Sequence, residues 1–393
     1  MKSIQEFVNL YKGKGYNVAV LRLKERRKVI KYVESKIENV QEIEDERFSV
    51  MLEREGKYGI SHSSRLEFNG ELSPGKIVPV LSQGGELRKV KERVPVQVVE
   101  LDSRYPTYGT LVGVQVEREL ITSNGFHGLD KDGYTYGYFR VKNGDYSGSW
   151  AFSDVNFSKE KVEETVGMAE HFASFQGRAE IEDGEYQVVL SPQAVGNLMM
   201  YVANMASKFS IMAGTSMFRE KGEMTGNEDI TLMDTPREDR PMSAEFDDEG
   251  TPTFNKEVIS KGVFINPLSN NELGETTGNA GWITPKPWNL EVKEGDSSLE
   301  SMLTGNVVFI NNVWYTRFNN YSEGIFSTVS RDAVMVYKGG KFAGIAGRVR
   351  IADSLKKILS PSAVSKERYS VMWWDARLQG VYPYLSVNVR LIK

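Results

Sequence analysis

The side chains best suited to chemistry in this 393-residue sequence are grouped in its second half. Three consecutive carboxylates, Asp247, Asp248 and Glu249, stand directly before a glycine. A cluster of this kind is able to bind a hard cation such as Mg²⁺ or Mn²⁺, or the amine of a peptide. Acidic turns are also commonly just solvated, so both interpretations stay open. These three residues are therefore candidates for a substrate groove or a cation site.

Two segments of small hydroxyl and amide residues are further candidates. Thr277, Gly278 and Asn279 combine hydrogen-bonding side chains with a glycine, where a backbone could approach closely. Thr215 and Ser216 directly follow a predicted helix, so they form either the exit turn of that helix or part of a site. We expect both segments to line a substrate groove or, alternatively, to have only a structural role.

Histidine and cysteine are too scarce to build a metal site of known spacing. The histidines are His62, His127 and His171, and no two of them lie four or five residues apart. The sequence has no cysteine, which excludes thiolate ligands, thiol nucleophiles and disulfides. His171 falls within a predicted helix, where a lone histidine is usually a packing or surface residue. We therefore predict no cofactor and no metal site built from histidine or cysteine in this chain.

Several other reaction classes lack their sequence motifs. There is no phosphate-binding loop, no dinucleotide-binding fingerprint after a strand and no nucleophile elbow. The net charge is −4 and no basic block is visible, whereas nucleic-acid binders usually carry a basic surplus. The sequence thus gives no support for nucleotide hydrolysis, dinucleotide-dependent redox chemistry, serine hydrolysis or nucleic-acid binding.

The elements that must hold these residues begin with a helix and a run of strands. Ser3 is placed to cap a helix whose apolar residues recur at helical spacing, namely Ile4, Phe7, Val8 and Tyr11. β-rich runs then predict strands at 18–22, 29–33, 48–53, 58–61, 96–101, 110–122, 134–142 and 147–152. Turns are predicted at 124–125 and 131–133. One helix with an antiparallel meander is typical of an α+β layer.

A second group of elements follows. Ser158 is placed to cap a helix over 158–175, with Gly177 at its end. A strand at 186–190 leads into Ser191 and Pro192, a favourable cap and first position for a helix that runs to about Phe209. From 262 onwards the chain is β-rich, with strands predicted at 307–313, 333–337, 341–349, 371–374 and 385–391.

These elements predict an α+β fold with two domains. Residues 1–185 should form N-terminal helices on an antiparallel sheet, and residues 186–393 a β-rich C-terminal domain with a buried helix. The most apolar helical stretch, 198–214, is interrupted by polar residues and is too short to span a bilayer. The first residues carry an acidic side chain and no apolar segment, unlike a secretory signal. We expect a cytoplasmic protein without a membrane partner.

The order of short motifs between 188 and 290 resembles the TldD/PmbA metallopeptidase family. After Val188-Val189-Leu190 and a helix, the motifs are Gly214-Thr215-Ser216-Met217-Phe218, Asp229-Ile230-Thr231-Leu232-Met233-Asp234, Phe246-Asp247-Asp248-Glu249-Gly250, Val258-Ile259-Ser260-Lys261-Gly262, Thr277-Gly278-Asn279-Ala280 and Pro287-Trp288-Asn289-Leu290. The turn Ser123-Asn124-Gly125 is similar to one of the family's N-terminal domain. The motifs are weak singly, but their order and spacing are specific.

The resemblance implies where a catalytic member would carry its metal. In such members, the helix after this strand carries HExxxH, whose histidines bind zinc and whose glutamate is the general base, and a later cysteine is a further ligand. Aligned without a gap, the two histidine positions fall on Met199 and Asn204, and the glutamate position falls on Met200. Thioether and amide groups are poor zinc ligands, and Met200 cannot move a proton. We interpret Met199, Met200 and Asn204 as degenerate metal-site positions and predict no catalytic residue.

The resemblance therefore implies a non-catalytic subunit of the PmbA/TldE-like branch. Such a subunit would pair with a TldD-like catalytic subunit that holds the zinc, in an assembly that cuts peptides or unfolded proteins. One alternative is a homodimeric binding or scaffold protein, in line with descriptions of family members as gyrase modulators. The other is a peptidase with a relocated metal site at 247–249.

Overall fold

The first half of the chain builds one mostly antiparallel sheet. The computed structural model describes residues 3–282 and 284–393, and in that part of the chain this sheet has eight strands. They are β1 (Asn17–Val33), β2 (Lys36–Arg54), β3 (Lys57–Ser63), β4 (Ser73–Pro74), β5 (Gly85–Val90), β6 (Thr107–Thr122), β7 (Phe126–Asn143) and β8 (Tyr146–Asp154). Their order is β4-β3-β2-β1-β6-β7-β5, with β8 also paired to β7, and β5 alone runs parallel to its neighbour. The predicted antiparallel sheet is confirmed.

Two helices cover one face of this first sheet. They are α1 (Ile4–Gly13) and α2 (Lys159–Ser174). Ser3 and Ser158 cap them, because each side chain accepts a hydrogen bond from a backbone N–H of the first turn. Their apolar faces are buried against the sheet, through Phe7, Val8, Val162, Val166 and Phe172. Helices on an antiparallel sheet are the arrangement that the sequence predicts for this part.

The second half of the chain is dominated by strands. Among the described residues its sheet contains β9 (Gly184–Leu190), β10 (Leu232–Asp234), β11 (Lys256–Ser260), β12 (Val263–Phe264), β13 (Leu290–Val292), β14 (Val307–Asn320), β15 (Ile325–Lys338), β16 (Lys341–Ile345), β17 (Arg350–Ser354), β18 (Ala363–Trp373) and β19 (Ala376–Ile392). The order is β12-β11-β10-β13-β19-β17-β15-β14-β9. Since β9 also pairs with β19, five of these strands close into a ring.

The helix α3 (Pro192–Met205) is the centre of this β-rich half. Ser191 caps it and Pro192 occupies its first turn, as the sequence predicts. Every residue from Pro192 to Met199 is buried. A Cβ at Gly196 would lie 2.8 Å from the ring of Tyr382, so a glycine is needed where the helix meets β19. The remaining helices are the short α4 (Lys208–Met212), α5 (Leu299–Met302) and α6 (Leu355–Ile358).

The two sheets pack on each other through both apolar and polar contacts. The ring of Tyr138 in β7 stacks on Trp373 in β18, with centroids 5.4 Å apart. In β8, the backbone N–H of Ser149 donates to the side chain of Asn311 at 2.9 Å. One apolar core therefore includes residues from both sheets. The boundary between 185 and 186 remains a prediction, although β9 begins at Gly184.

The strand predicted at 96–101 is wrong. Residues 91–106 contain no strand and cross the face of the first sheet. Val96 sits over Gly113, where a Cβ would come within 2.4 Å of the valine side chain. The carbonyl of Val99 accepts a hydrogen bond from the hydroxyl of Tyr32 at 2.8 Å. The apolar residues of this segment therefore cover a sheet face instead of pairing along an edge.

The sequence prediction divided one continuous strand into two, because the residues in its middle are charged. The predicted strands 18–22 and 29–33 belong to the single strand β1. Basic side chains between them pair with acids of the adjacent strand, as Lys24 does with Glu44 at 2.9 Å. Cross-strand ion pairs of this kind let a polar segment remain in a sheet.

The turn predicted at 131–133 is also wrong, because these residues lie inside β7. Lys131 pairs with Glu117 of β6 at 2.6 Å, and Asp132 pairs with Lys89 of β5 at 3.1 Å. The charges of this Asp-Lys-Asp-Gly segment are satisfied across strands, whereas in a turn they would face solvent. The neighbouring turn at 124–125 is confirmed between β6 and β7.

Two predicted elements extend too far. The helix predicted to reach Phe209 ends at Met205, because Ser207 adopts an extended conformation and the following N–H, of Lys208, donates to the carbonyl of Leu268 at 2.8 Å. The short helix α4 then begins. The strand predicted at 341–349 ends at Ile345.

Candidate functional site

The helix α3 carries the three degenerate metal-site positions in different environments. Met199 is fully buried in the apolar core, Met200 is partly buried and Asn204 is exposed. Two thioethers and one amide do not fit the donor set that zinc requires. Within residues 3–282 and 284–393, no group of three or more histidines, aspartates or glutamates could hold a metal ion. The residues present on this helix therefore do not fit a catalytic zinc.

Polar and aromatic side chains border the partly exposed side of α3. The amide of Asn197 donates to the carbonyl of Asp375 at 2.7 Å and accepts from the hydroxyl of Thr316 at 2.7 Å. One turn further, Tyr201 packs on Phe318 with ring centroids 5.2 Å apart. These contacts fix the helix against β14 and the turn between β18 and β19.

The carboxylate of Asp247 is buried and holds three backbone N–H groups. One oxygen accepts from Glu249 and Thr251, each at 2.9 Å, and the other accepts from Ala280 at 3.0 Å. Burial raises the pKa of Asp247 to about 6, although the bonds from Ala280 and Thr251 oppose this. This carboxylate therefore organises its own turn and ties it to the segment around Ala280.

Asp248 forms a buried ion pair with Arg118 of the first sheet. The distance is 2.7 Å, and Lys286 lies 3.5 Å from the same oxygen. Burial alone would raise the pKa of Asp248, but the charges of Lys286 and Arg118 outweigh it and lower this pKa. The guanidinium of Arg118 lies 4.4 Å from the ring centre of Phe246 and 5.3 Å from that of Trp288. The pair therefore joins the first sheet to a loop of the second half, in a site largely closed to water.

Glu249 connects the segment around Val80 to the second half of the chain by hydrogen bonds. One oxygen accepts from the N–H of Val80 at 3.1 Å, and the other accepts from the N–H of Asn271 at 2.8 Å. Its side chain is fully buried. Burial raises the pKa of Glu249 to about 8, and the nearby charge of Asp247 adds to this shift.

Asn279 is at the centre of a second buried polar group. Its amide donates to Asp234 at 2.6 Å, and its oxygen accepts from Lys256. Lys256 also donates to the carbonyl of Thr277 at 3.1 Å, and burial lowers its pKa to about 8. Gly278 has a φ of 84°, a conformation that favours glycine, and its carbonyl accepts from the indole of Trp288 at 2.9 Å.

Thr215 and Ser216 lie at the end of the helical segment, away from the acidic residues. The hydroxyl of Ser216 donates to the carbonyl of Met205 at 2.7 Å and is buried. Thr215 is exposed, and its hydroxyl donates to the carbonyl of Ser210 at 3.3 Å. These bonds are those of an exit turn that closes the last helical carbonyls.

The structure brings two of the predicted segments together and leaves the others apart. Asp247 bonds Ala280, which directly follows Asn279, so 247–249 and 277–279 share one buried polar core. No hydrogen bond between described side chains joins the acidic residues to α3. Whether 247–249 or 277–279 contact a substrate remains a prediction. In this structure most of their polar atoms serve internal bonds.

Sequence reasoning missed Arg118, Asp234 and Lys256, which hold this core together. Of these three residues, only Arg118 could have been found from the sequence. It lies between Val116 and Leu120 on the same face of a strand. A charged residue on an apolar strand face indicates a buried partner.

The fold and the polar core define a two-sheet α+β protein with a buried helix in its β-rich half. Residues 183–390, more than half of the chain, match the family model described as the PmbA/TldA metallopeptidase C-terminal domain. The chain belongs to the PmbA/TldD metallopeptidase family.

A curated relative and three solved structures are similar to the chain. The Saccharolobus solfataricus protein described as a zinc metalloprotease TldD homolog is 27% identical over 135 residues, a match that spans 31% of this chain and 30% of that protein. A Thermotoga maritima protein described as a proposed modulator of a DNA gyrase has a TM-score of 0.82 at 20% identity, over 98% of both chains. TldE from Thermococcus kodakarensis has a TM-score of 0.77 at 19% identity, over 99% of this chain and 100% of that one.

The third structure, a proposed DNA gyrase modulator from Bacteroides thetaiotaomicron, has a TM-score of 0.77 at 15% identity over the full length of both chains. At these identities the likeness shows a common fold. Because the matches cover both halves of the chain, they indicate that these structures share the arrangement of the two sheets.

Proposed function

We propose that this chain is a non-catalytic, TldE/PmbA-like subunit of a TldD/PmbA-family metallopeptidase assembly. The observation that carries the proposal is the composition of α3, where Met199, Met200 and Asn204 stand at the positions that the family resemblance assigns to the zinc ligands and the general base. The helix itself is present and capped, but its side chains at these positions are not zinc ligands. Zinc and hydrolysis of peptides or unfolded proteins would belong to a TldD-like partner.

The environment of α3 supports a structural role for this helix. Met199 belongs to the apolar core, and Gly196 packs closely on Tyr382. A water held for catalysis needs an open position beside a metal and a general base. The side chain at 200 is a thioether, which offers neither.

The decisive experiment compares three samples: the pure chain, a TldD-like protein from the same organism, and the two combined. We expect the pure chain to hold no stoichiometric zinc and to leave an unfolded protein substrate intact. The combination should cleave that substrate and should co-elute in size-exclusion chromatography. Replacing a zinc ligand of the partner should abolish cleavage, whereas Met200→Leu in this chain should not. Zinc-dependent cleavage by the pure chain would contradict the proposal.

The two alternatives give different results in the same experiment. A peptidase with a metal at 247–249 would lose activity with a chelator when pure, yet the oxygens of Asp247 and Glu249 already accept backbone N–H groups. A homodimeric binding protein would not co-elute with the TldD-like protein. Two similar structures are described as proposed modulators of DNA gyrase.

A further inference from the structure

A positively charged cavity of about 470 Å³ lies where the first sheet meets the second. Its lining includes four basic side chains, Lys31, Arg140, Lys142 and Arg331, together with the rings of Tyr108 and Trp374. No aspartate or glutamate is among its lining residues. A concave site with several convergent polar groups is the usual form of a ligand pocket.

The strand register explains why the basic residues converge. Tyr108 of β6 lies opposite Arg140 of β7, two residues from Lys142 on the same face. In the same way Lys31 of β1 lies opposite Thr110 of β6. This face of the first sheet looks towards the second sheet, which contributes Arg331 from β15 and Trp374 from the turn after β18.

Of the four cations, only Arg140 forms a hydrogen-bonded ion pair with a carboxylate of the described residues. Arg140 is paired with Asp332, whose side chain is fully buried and also accepts from Ser147 at 2.9 Å. In the described part of the chain, no carboxylate lies within 4.0 Å of Lys31 or Lys142. Glu34 also lies near the rim and accepts from the hydroxyl of Tyr108 at 3.4 Å. The cavity thus has a surplus of positive charge.

Arg331 is the least exposed of the three cations that lack a hydrogen-bonded carboxylate. Its guanidinium carbon lies 4.1 Å from the ring centre of Trp314 and 5.8 Å from that of Trp374. Its side chain is 21% exposed, and the nearest carboxylate, Asp332, is 3.9 Å away. Among residues 3–282 and 284–393 it donates no side-chain hydrogen bond that meets normal geometry, and Asp375 beside it is bonded to Asn197. The indole of Trp314 lies against the guanidinium, and the N–H groups of Arg331 are left for an acceptor from outside the chain.

We propose that this cavity binds an oxyanion, the carboxylate or phosphate group of a small ligand. Arg331 would hold two of its oxygens, Lys31 and Lys142 would add positive charge, and Trp374 and Tyr108 would contact the attached apolar body. None of the lining residues belongs to α3, although Asp375 beside Arg331 is bonded to Asn197 of that helix. The site does not depend on the proposed function, because it needs neither zinc nor a partner subunit.

The test uses the full-length chain with inorganic phosphate and acetate as separate probes at constant ionic strength, with chloride as the reference. Because two tryptophans flank Arg331, binding should change tryptophan fluorescence in a saturable way at millimolar probe concentrations, and calorimetry should give the same affinity. Arg331→Gln and, independently, Lys142→Gln should weaken binding by roughly tenfold. Arg317→Gln, an exposed arginine outside the lining, is the matched control and should bind normally.

Each result decides between support and refutation. Saturable binding of phosphate alone supports a phosphate-bearing ligand, and saturable binding of acetate supports a carboxylate. No saturable response to either probe overturns the proposal, and so does unchanged affinity in Arg331→Gln. Lys142 is exposed, so Lys142→Gln should keep the wild-type melting temperature and serves as the variant whose folding is not in question.

Discussion

Glu249 is the buried residue whose protonation should affect stability most visibly. Its two oxygens bridge Val80 of the first half and Asn271 of the second. A buried acid whose folded pKa lies above its unfolded value keeps a proton that the unfolded chain has released. The contribution of Glu249 is therefore fully present below the unfolded pKa and is lost as the pH rises towards about 8.

We predict that the free energy of unfolding falls between pH 5 and 8 and that Glu249→Gln reduces this fall. One proton corresponds to a slope of about 1.4 kcal/mol per pH unit at most. Urea unfolding of both proteins across this pH range measures the difference. Glu182→Gln, at a residue for which no such contact exists among the described residues, is the control. Parallel pH profiles of wild type and Glu249→Gln would refute the prediction.

Met199 and Asn204 allow a second test at single positions. We predict that Met199→His lowers the free energy of unfolding by roughly 2–4 kcal/mol, because an imidazole would enter an apolar core without a partner. Asn204→His should change it by no more than about 0.5 kcal/mol, because the side chain is exposed. Denaturant unfolding with and without zinc measures both. Stabilisation of the double variant by zinc would show that the two positions share a site after all.

The sequence was sufficient to select the acidic and amide segments as candidates. It did not reveal which residues surround them. Asp247, Asp248 and Glu249 are adjacent in the chain, so their grouping is visible without a structure. Their partners Val80 and Arg118 are more than a hundred residues away. Local pattern carries no information about such contacts, which is why a solvated turn and a buried core could not be told apart.

At the level of elements, two helical glycines make opposite contributions. Gly196 in α3 has no room for a side chain, because a Cβ would lie 2.8 Å from Tyr382 and 3.4 Å from Val371. Gly167 in α2 has nothing within 4 Å of a Cβ. The same substitution therefore tests close packing at one site and helix propensity at the other.

We predict that Gly196→Ala destabilises the protein by about 1–3 kcal/mol, since α3 or Tyr382 must shift. Gly167→Ala should stabilise it by up to about 1 kcal/mol, because alanine has the higher helix propensity. Thermal unfolding of the two variants gives both values under one set of conditions. Equal effects of the same sign would show that α3 is not closely packed on β19.

Element prediction succeeded where a single local signal decided the outcome. The caps Ser3, Ser158 and Ser191 were identified because a capping side chain acts within one helical turn. It failed at 96–101 and 131–133, where strand formation depends on the neighbouring chain. In the first segment, the apolar residues pack on the sheet face at Gly113. In the second, ion pairs with residues of neighbouring strands keep a polar segment in the sheet.

At the scale of the whole molecule, the two halves are joined by buried polar bonds as well as by apolar packing. Arg118 with Asp248, Glu249 with Val80 and Ser149 with Asn311 each connect the first half of the chain to the second. Buried polar groups that lose a partner are strongly destabilising. We infer that the halves unfold together, even though each is built on its own sheet.

Asp332 provides the sharpest test of this cooperativity. It belongs to β15, but its fully buried carboxylate accepts from Arg140 and Ser147 of the first sheet. We predict that Asp332→Asn lowers the free energy of unfolding by about 3 kcal/mol, the low end for breaking a buried pair, because Arg140 is 30% exposed. Asparagine suits the positive φ of 63° at this position, so backbone strain should not add to the effect.

Calorimetry should show one transition for the wild type and one transition at lower temperature for Asp332→Asn. Asp296→Asn, at an exposed aspartate with no ion pair among the described residues, should leave the melting temperature unchanged. If the two halves were independent, the substitution would separate the unfolding of β15 and its neighbours from that of the first sheet. Two resolved transitions would therefore refute joint unfolding, whereas a single shifted transition requires that bonds across the junction contribute to the stability of both sheets.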